Sequence, residues 1–245
     1  MSARSRDSGA QPNSTRNAKS GRPRLSMETV VNRILVVLYE GCSWRAIHSP
    51  DAHWNSVYQY WRRWCRDGVW QQVHAAHAPP ASGNTRFVDS THVKVHRAGS
   101  NPAGGQAGQA MGITRGGLNT KIHAVVDLAG NPVTLQFTAG QVADVTQAPV
   151  LTAELTEGTV VADKAYDSDP LRCALFEQGV LPCIPPRSNR KEKSSYGKKT
   201  YRKRHRVENF FERIKRFRRV ATRYDKLTLT FSSFVYLAST LTFKK

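Results

Sequence analysis

Residues 85–97 read TRFVDSTHVKVHR and combine β-branched residues with alternating apolar and polar positions. This pattern predicts a β-strand with two different faces. A carboxylate, Asp89, stands in the middle of the strand, where an ionised side chain suits β structure poorly and is costly if it is buried without a partner. The predicted strand therefore carries a feature that packing alone does not explain.

The segments that follow predict a mixed sheet. Residues 98–120 are too rich in glycine to hold one regular element. Beyond them the sequence predicts strands at KIHAVVDL (121–128) and PVTLQFT (132–138) joined by a turn, a helix over 144–155, a buried strand TVVAD (159–163), a helix that Asp169 caps and Gly179 ends, a strand VLPCI (180–184), and a basic loop (185–200) before a last helix. The order β-β-β-α-β-α-β-α is that of a ribonuclease-H-like α/β domain with a mixed five-stranded sheet. We place this domain at residues 85–245.

Upstream of the sheet, residues 25–73 predict a small helical domain. Ser26 can cap a first helix that Gly41 ends, a short second helix follows, and a third covers 55–66. Arg62, Arg63 and Arg66 reach outward from this third helix, which suits a DNA-binding helix-turn-helix. The alternative is a plain helical bundle with tryptophans in its core. The Ala- and Pro-rich residues 74–84 predict a linker.

Net charge is the strongest global signal, at +19, and it is concentrated in two places. Residues 187–223 hold sixteen Lys or Arg and three Glu, and residues 1–24 hold six Lys or Arg and one Asp. The first block indicates a polyanionic partner such as nucleic acid, with Arg216, Arg218 and Arg219 among the expected contacts. The alternative is a solvated basic face. We interpret residues 1–24 as a basic, disordered tail.

The composition argues against membrane and disulfide-rich classes. No apolar run approaches the roughly 18 residues that a membrane span needs. The N-terminus lacks the apolar stretch of a signal peptide. The four cysteines show no C-x₂-C spacing, so neither a zinc site nor a disulfide framework is expected. We expect a soluble intracellular protein with free thiols.

Two further acids join Asp89 in the predicted fold. Asp163 ends the fourth strand, which neighbours the first in a ribonuclease-H-like sheet, so the two aspartates can face each other. Glu208 lies in YRKRHRVENFFERIK (201–215), where Tyr201, Arg204, Glu208 and Lys215 share a sector of about 60° on one helix. Individually, Asp89 could be a strand-edge residue, Asp163 a cap and Glu208 an ion-pair partner of Arg204.

Together, the three carboxylates repel one another unless a cation joins them. Magnesium is a hard ion that prefers oxygen ligands and keeps open positions for water and phosphate. Two such ions about 4 Å apart could serve both the attacking and the leaving oxygen of a phosphodiester. The predicted site is therefore a two-metal site, with the surrounding Arg and Lys holding DNA phosphates.

The spacing Tyr-x₂-Arg-x₃-Glu-x₆-Lys at 201–215 resembles the signature of bacterial insertion-sequence transposases with an Asp-Asp-Glu catalytic domain, in particular the insertion sequence five group. FVDST, RGGLNTKIHAVVD, ADKAYDSD, RYDKLTLTFSSFVYLA and the N-terminal GRPRLS and GCSWRAI resemble other blocks of that family. The similarity covers about residues 21–243. It departs at Ala165, where family members more often have Gly.

The resemblance implies a function and a set of roles. Asp89, Asp163 and Glu208 would hold two Mg²⁺ or Mn²⁺ ions, Arg204 and Lys215 would contact DNA near the cut bond, and Tyr201 would position the helix or the strand end. The enzyme would cut double-stranded DNA at terminal inverted repeats and join the 3′-OH ends to target DNA, as a homo-oligomer on DNA in the bacterial cytoplasm, at the nucleoid. The alternatives are a catalytically inactive DNA-binding derivative and a different ribonuclease-H-like nuclease.

Overall fold

The strand that carries Asp89 lies in the middle of a seven-stranded sheet. A computed structural model describes residues 25–192 and 194–244. Its strands are β1 (Thr85–Val95), β2 (Gly112–Thr114), β3 (Gly117–Val126), β4 (Pro132–Ala139), β5 (Gly158–Val161), β6 (Val180–Cys183) and β7 (Thr222–Arg223).

The five main strands follow the predicted ribonuclease-H-like order. β1, β3 and β4 form the antiparallel meander, and β5 and β6 are added in parallel on the other side of β1. The predicted mixed sheet is therefore confirmed. Two short strands extend it beyond the prediction: β2 pairs with the first residues of β3, and β7 runs parallel to the end of β1.

Nine α-helices occur in the described part of the chain, and a serine caps the first turn of two of them. Ser26 Oγ accepts the Thr29 amide at the start of the first helix, and Gly41 ends it with φ of 63°. The cap of α5 is Ser168, which accepts the Leu171 amide, so the prediction of Asp169 as cap is wrong by one residue. None of these helices is long and apolar enough to cross a membrane. They are α1 (Met27–Glu40), α2 (Trp54–Arg66), α3 (Val69–His77), α4 (Asp144–Thr152), α5 (Asp169–Glu177), α6 (Lys198–Tyr201), α7 (His205–Lys215), α8 (Arg218–Ala221) and α9 (Thr228–Leu241).

The sheet separates two hydrophobic clusters. Phe87 and Ile122 point to the face covered by α7 and α9, whereas Val88 and Val125 point to the face covered by α4 and α5. Because side chains alternate along a strand, Asp89 lies on the same face as Phe87, towards α7. This alternation sets which helix can reach the acid.

The N-terminal helices share a core with the C-terminal part of the chain. Trp61 of α2 is fully buried and stacks on Phe234 of α9, with ring centroids 4.0 Å apart. His74 of α3 is also buried and packs against Tyr236. The predicted linker is therefore wrong at residues 74–77, which form the end of α3. The predicted tail at 1–24 lies outside the described residues.

Candidate active site

Strand pairing brings Asp89 and Asp163 to the same end of the sheet. Phe87 of β1 and Val161 of β5 are partners in the parallel ladder. Asp89 lies two residues after Phe87, and Asp163 lies two residues after Val161. Asp163 accepts the Ala165 amide at 2.8 Å through Oδ1 and so caps a 3-10 helix, Lys164–Tyr166. The expected placement of both acids follows directly from this register.

Helix α7 brings Glu208 to the same place. The stretch 198–215 is not one helix but α6, a 3-10 turn at Arg202–Arg204, and α7. Buried Val207, Phe210, Phe211 and Ile214 fix α7 on the sheet. Arg204 then donates from Nη1 to Asp89 Oδ2 at 2.6 Å and from Nη2 to Glu208 Oε1. One guanidinium thus joins two of the three predicted acids.

The carboxylates carry more negative charge than Arg204 compensates. The pKa of Asp89 is raised to about 6, chiefly by burial, and the charges of Asp163 and Glu208 act in the same direction. The hydrogen bond from the Ser90 amide and the charge of Arg204 act in the opposite direction but do not cancel the rise. Three carboxylates around one guanidinium leave a charge of about −2 when all are ionised, and hard oxygen donors of this kind fit divalent Mg²⁺ or Mn²⁺.

The acids are grouped but are not assembled as a metal cage. In residues 25–192 and 194–244, no three His, Cys, Asp or Glu side chains lie close enough to share a metal ion. Arg204 is the group that contacts both Asp89 and Glu208. The metal-binding and catalytic roles of Asp89, Asp163 and Glu208 stay predictions.

The remaining residues of the four-residue signature point inward. Lys215 Nζ donates to Thr91 Oγ1 at 2.6 Å and to the His92 carbonyl at 3.0 Å, and burial lowers its pKa. Tyr201 is half-buried and packs edge-to-face on Tyr196. These contacts hold α6 and α7 against their neighbours. Contact of Tyr201, Arg204 or Lys215 with DNA stays a prediction.

The predicted surface arginines divide into two groups. Arg62, Arg63 and Arg66 on α2 are exposed, as are Arg216 and Arg218. Arg219 is only 5% exposed, and its Nε lies 3.0 Å from Asp225 Oδ2. The charge of Arg219 is therefore already paired inside the protein, and its contact with DNA stays a prediction.

Sequence reasoning missed a polar cluster directly behind Asp89. On the α4 face of the sheet, Asp144 Oδ1 accepts Ser90 Oγ at 2.7 Å and Lys121 Nζ at 2.9 Å. His123 lies beside them, and burial lowers its pKa to about 4. Asp144 was identified only as a helix start, although Lys121 and His123, at alternate positions beside the apolar residues Ile122, Ala124 and Val125, are a signal for such a cluster. The cluster supports Ser90, whose amide holds Asp89.

Comparison with known proteins decides the family. The family model "Transposase DDE domain" matches residues 80–242, and "Putative transposase of IS4/5 family" matches residues 10–74. The chain belongs to the insertion-sequence DDE transposases of the IS4/5 type. The predicted resemblance is thereby confirmed.

Two individual proteins are similar to this transposase, one in sequence and one in fold. It is 37% identical over 123 residues to "Putative transposase for insertion sequence element IS6501" of Brucella ovis, a match that covers 49% of this chain and 95% of that protein. Its fold resembles the piggyBac transposase in a synaptic complex with hairpin DNA, with a TM-score of 0.50 over 92% of this chain and 68% of that chain. At 10% sequence identity the second match supports the fold alone.

Proposed function

We propose that this transposase cuts double-stranded DNA at the terminal inverted repeats of its insertion sequence and joins the freed 3′-OH ends to target DNA. The observation that supports the proposal is the position of Arg204, whose one guanidinium pairs with both Asp89 and Glu208 while the charge of Asp163 also acts on Asp89, so that one cation does not balance three acids. Structural acids are usually paired in full, whereas an excess of carboxylate charge in one place favours a bound cation.

The three acids would hold two Mg²⁺ or Mn²⁺ ions. When bound, such ions would polarise the phosphodiester and make the attacking water or 3′-hydroxyl a stronger nucleophile. The chain's own contribution is placement: β1 and β5 fix the two aspartates, and α7 fixes Glu208. In the first step water would displace the 3′ oxygen from phosphorus, and in the second that 3′-OH would displace a 3′ oxygen of the target strand.

Binding of DNA would fall to the basic surfaces. Arg216 and Arg218 are exposed close after α7, where they can neutralise phosphates near the acids. Arg62, Arg63 and Arg66 are exposed on α2, and we propose that residues 25–73 form the domain that reads the terminal repeats, ahead of a catalytic domain at 85–245. We further propose that the transposase works as a homo-oligomer on DNA in the cytoplasm.

A second candidate is a DNA-binding derivative without catalysis. The observation that favours it is the distance between the acids, which within the described ranges do not form a group able to share an ion. If Arg204 stays between Asp89 and Glu208 when metal is added, the derivative is the correct reading. The two candidates differ in whether Arg204 yields to a cation.

Cleavage of a duplex that carries the element's end, with Mg²⁺ or Mn²⁺, tests the proposal. Asp89→Asn, Asp163→Asn and Glu208→Gln should each lower the cleavage rate by about 10³-fold or more, since metal catalysis supplies several kcal/mol. Because the acids act as a unit, double variants should be scarcely slower than single ones. Binding of the same duplex in Ca²⁺ should persist.

Glu212→Gln is the matched control, because Glu212 is exposed on α7 one turn after Glu208. It should cleave at close to the wild-type rate. Loss of cleavage in Glu212→Gln with retention in Glu208→Gln would show that the wrong glutamate has been assigned. A wild-type protein that binds the duplex but never cuts it would support the inactive derivative.

A further inference from the structure

A solvent-open cavity of about 280 Å³ lies immediately beside Asp163. It is lined by Asp163, Lys164, Ala165, Arg187, Ser188 and Asn189. Apart from Asp163, none of these residues belongs to the predicted site. The cavity therefore adds a surface from the basic loop between β6 and α6 to the end of the sheet where the acids meet.

A buried acid, Asp167, holds the walls of this cavity in place. Its side chain is 1% exposed and accepts the Arg187 amide at 2.8 Å, Arg172 Nε at 3.0 Å and Arg190 Nη1 at 3.0 Å. Arg172 belongs to α5 and also donates to the Ile184 carbonyl just after β6. Asp167 thus ties the basic loop to the rigid part of the domain.

The side chain of Arg187 closes the link to Asp163. It donates from Nε to the Lys164 carbonyl at 3.2 Å and from Nη2 to the Ala165 carbonyl at 2.8 Å. These are the two peptide units directly after Asp163. The turn that carries the acid and the loop that carries the positive charge are consequently one hydrogen-bonded unit.

Donors remain at the cavity for a ligand, because Arg187 gives two of its five N–H groups to carbonyls and Lys164 keeps its ammonium. Lys164 and Arg187 are exposed, and within the described ranges neither side chain lies in an ion pair. Ser188 and Asn189 are exposed as well and add neutral donors. Two cations and two neutral donors around an open cavity suit the oxygens of a phosphodiester.

We propose that Lys164, Arg187, Ser188 and Asn189 bind a backbone phosphate of the DNA strand adjacent to the bond that is cut, and that Asp167 is the positioning residue of this subsite. The inference rests on the proposed function, because it takes a DNA strand at Asp163 as its ligand. The phosphate could belong to the element's own end or to the target strand. Both present the same chemistry, and the experiment separates them.

Neutralising single phosphates tests the contact without any cleavage. Duplexes with one methylphosphonate at each successive position are bound in Ca²⁺ by the wild type and by Lys164→Ala. The wild type should lose affinity at several positions. Lys164→Ala should bind the unmodified duplex more weakly and should lower the slope of log K against log salt by about 1. At the one phosphate that Lys164 contacts, a methylphosphonate should cause this variant no further loss of affinity.

Two sets of duplexes, one with the element's end and one with unrelated sequence as target, assign the phosphate to its source. Arg115→Ala is the control, since Arg115 is an exposed arginine in the turn between β2 and β3. It should keep the wild-type pattern of methylphosphonate sensitivity. If Lys164→Ala keeps that full pattern in both duplex sets, the subsite does not exist.

Asp167→Asn tests positioning against simple charge. Removing a negative charge should by itself tighten DNA binding, whereas loss of the anchor should weaken binding and erase the Lys164-dependent position. If Asp167→Asn fails to fold, Arg187→Lys serves instead, because it keeps the charge but loses the fork that reaches two carbonyls. Tighter binding with the position retained would refute the role of Asp167. A Lys164-dependent phosphate position in a protein that never cleaves the duplex would overturn the proposed function but keep the subsite.

Discussion

Asp163 and Asp167 are four residues apart along the chain but belong to two arginine–carboxylate clusters with different charge balances. Around Asp167, two guanidiniums and a backbone amide surround one buried carboxylate. Around Arg204, one guanidinium meets Asp89 and Glu208, with the charge of Asp163 close by. The charges of the first cluster balance, since Arg190 also pairs with Asp169, whereas the second cluster has more anion than cation.

The pKa values of the two aspartates move in opposite directions. Burial raises the pKa of Asp167, but the Arg187 amide and the arginines outweigh burial and hold it below its ordinary value. At Asp89 burial and the neighbouring acids prevail, and the pKa rises to about 6. We infer that the compensated acid holds structure and that the uncompensated acids await a cation.

The largest predicted effect is on the free energy of unfolding, which should respond differently when the acid of each cluster is removed. Asp167→Ala leaves two arginines without their buried partner and should lower the free energy of unfolding by about 3–5 kcal/mol. Asp89→Asn removes a carboxylate that burial and repulsion already disfavour, so it should not lower the free energy of unfolding and should raise it by up to about 2 kcal/mol at neutral pH. Urea denaturation in metal-free buffer measures both. Equal losses of unfolding free energy in the two variants would show that both acids stabilise the fold to the same extent.

Divalent cations should stabilise one cluster and not the other. Ca²⁺ at about 100 times its dissociation constant should stabilise the folded state by about 2.7 kcal/mol, which raises Tm by roughly 5–10 °C. Asp89→Asn, Asp163→Asn and Glu208→Gln should lose most of that shift. Glu212→Gln should keep it, as should any folded Asp167 variant. A shift that survives in all three acid variants would place the ion elsewhere.

The pH dependence of stability should also differ between the clusters. Asp89 binds its proton up to about pH 6 in the folded state but only to about pH 4 when unfolded. The folded state therefore holds more protons in that window, and the free energy of unfolding should fall by about 2 kcal/mol as pH rises from 4 to 6. Asp167, with its lowered pKa, acts in the opposite sense and loses stability only as pH falls below about 4.

Thermal denaturation across this range, with EDTA present, checks the sign. Asp89→Asn should remove the fall between pH 4 and 6 and leave the loss below pH 4 unchanged. An unaltered pH profile in Asp89→Asn would mean that the proton is held by a different acid.

The sequence predicts the arrangement of the main elements because alternation, caps and turns are local properties. The meander, the two added strands and α7 all follow from such patterns, as does the position of Asp89 on the α7 face of β1. The short strands β2 and β7 do not follow, because two or three residues carry no period and are fixed by pairing with β3 and β1.

Side-chain partners across the fold are the part that local patterns cannot give. Arg204 lies in the 3-10 turn before α7, and its bond to Asp89 joins residues 115 positions apart. Arg219 resembles its neighbours Arg216 and Arg218 in sequence and is nevertheless buried against Asp225. Which arginines in a basic run are already paired depends on where the acids come to lie in the folded chain, so the run predicts a DNA-binding surface but not its members.

The smallest predicted effect concerns that surface and extends the same contrast to the arginines that follow α7. Arg216→Ala and Arg218→Ala each remove an exposed cation and should each lower the slope of log K against log salt for non-specific duplex by about 1 if the residue contacts a phosphate. Arg219→Ala should leave the slope unchanged, because its charge is paired with Asp225, but should destabilise the protein by leaving that acid buried without a partner. Binding titrations at several salt concentrations, together with urea denaturation of the three variants, give both quantities. A flattened slope in Arg219→Ala with unchanged stability would show that Arg219 leaves Asp225 to bind DNA. An ion pair inside the protein would then not distinguish a structural arginine from one that binds DNA.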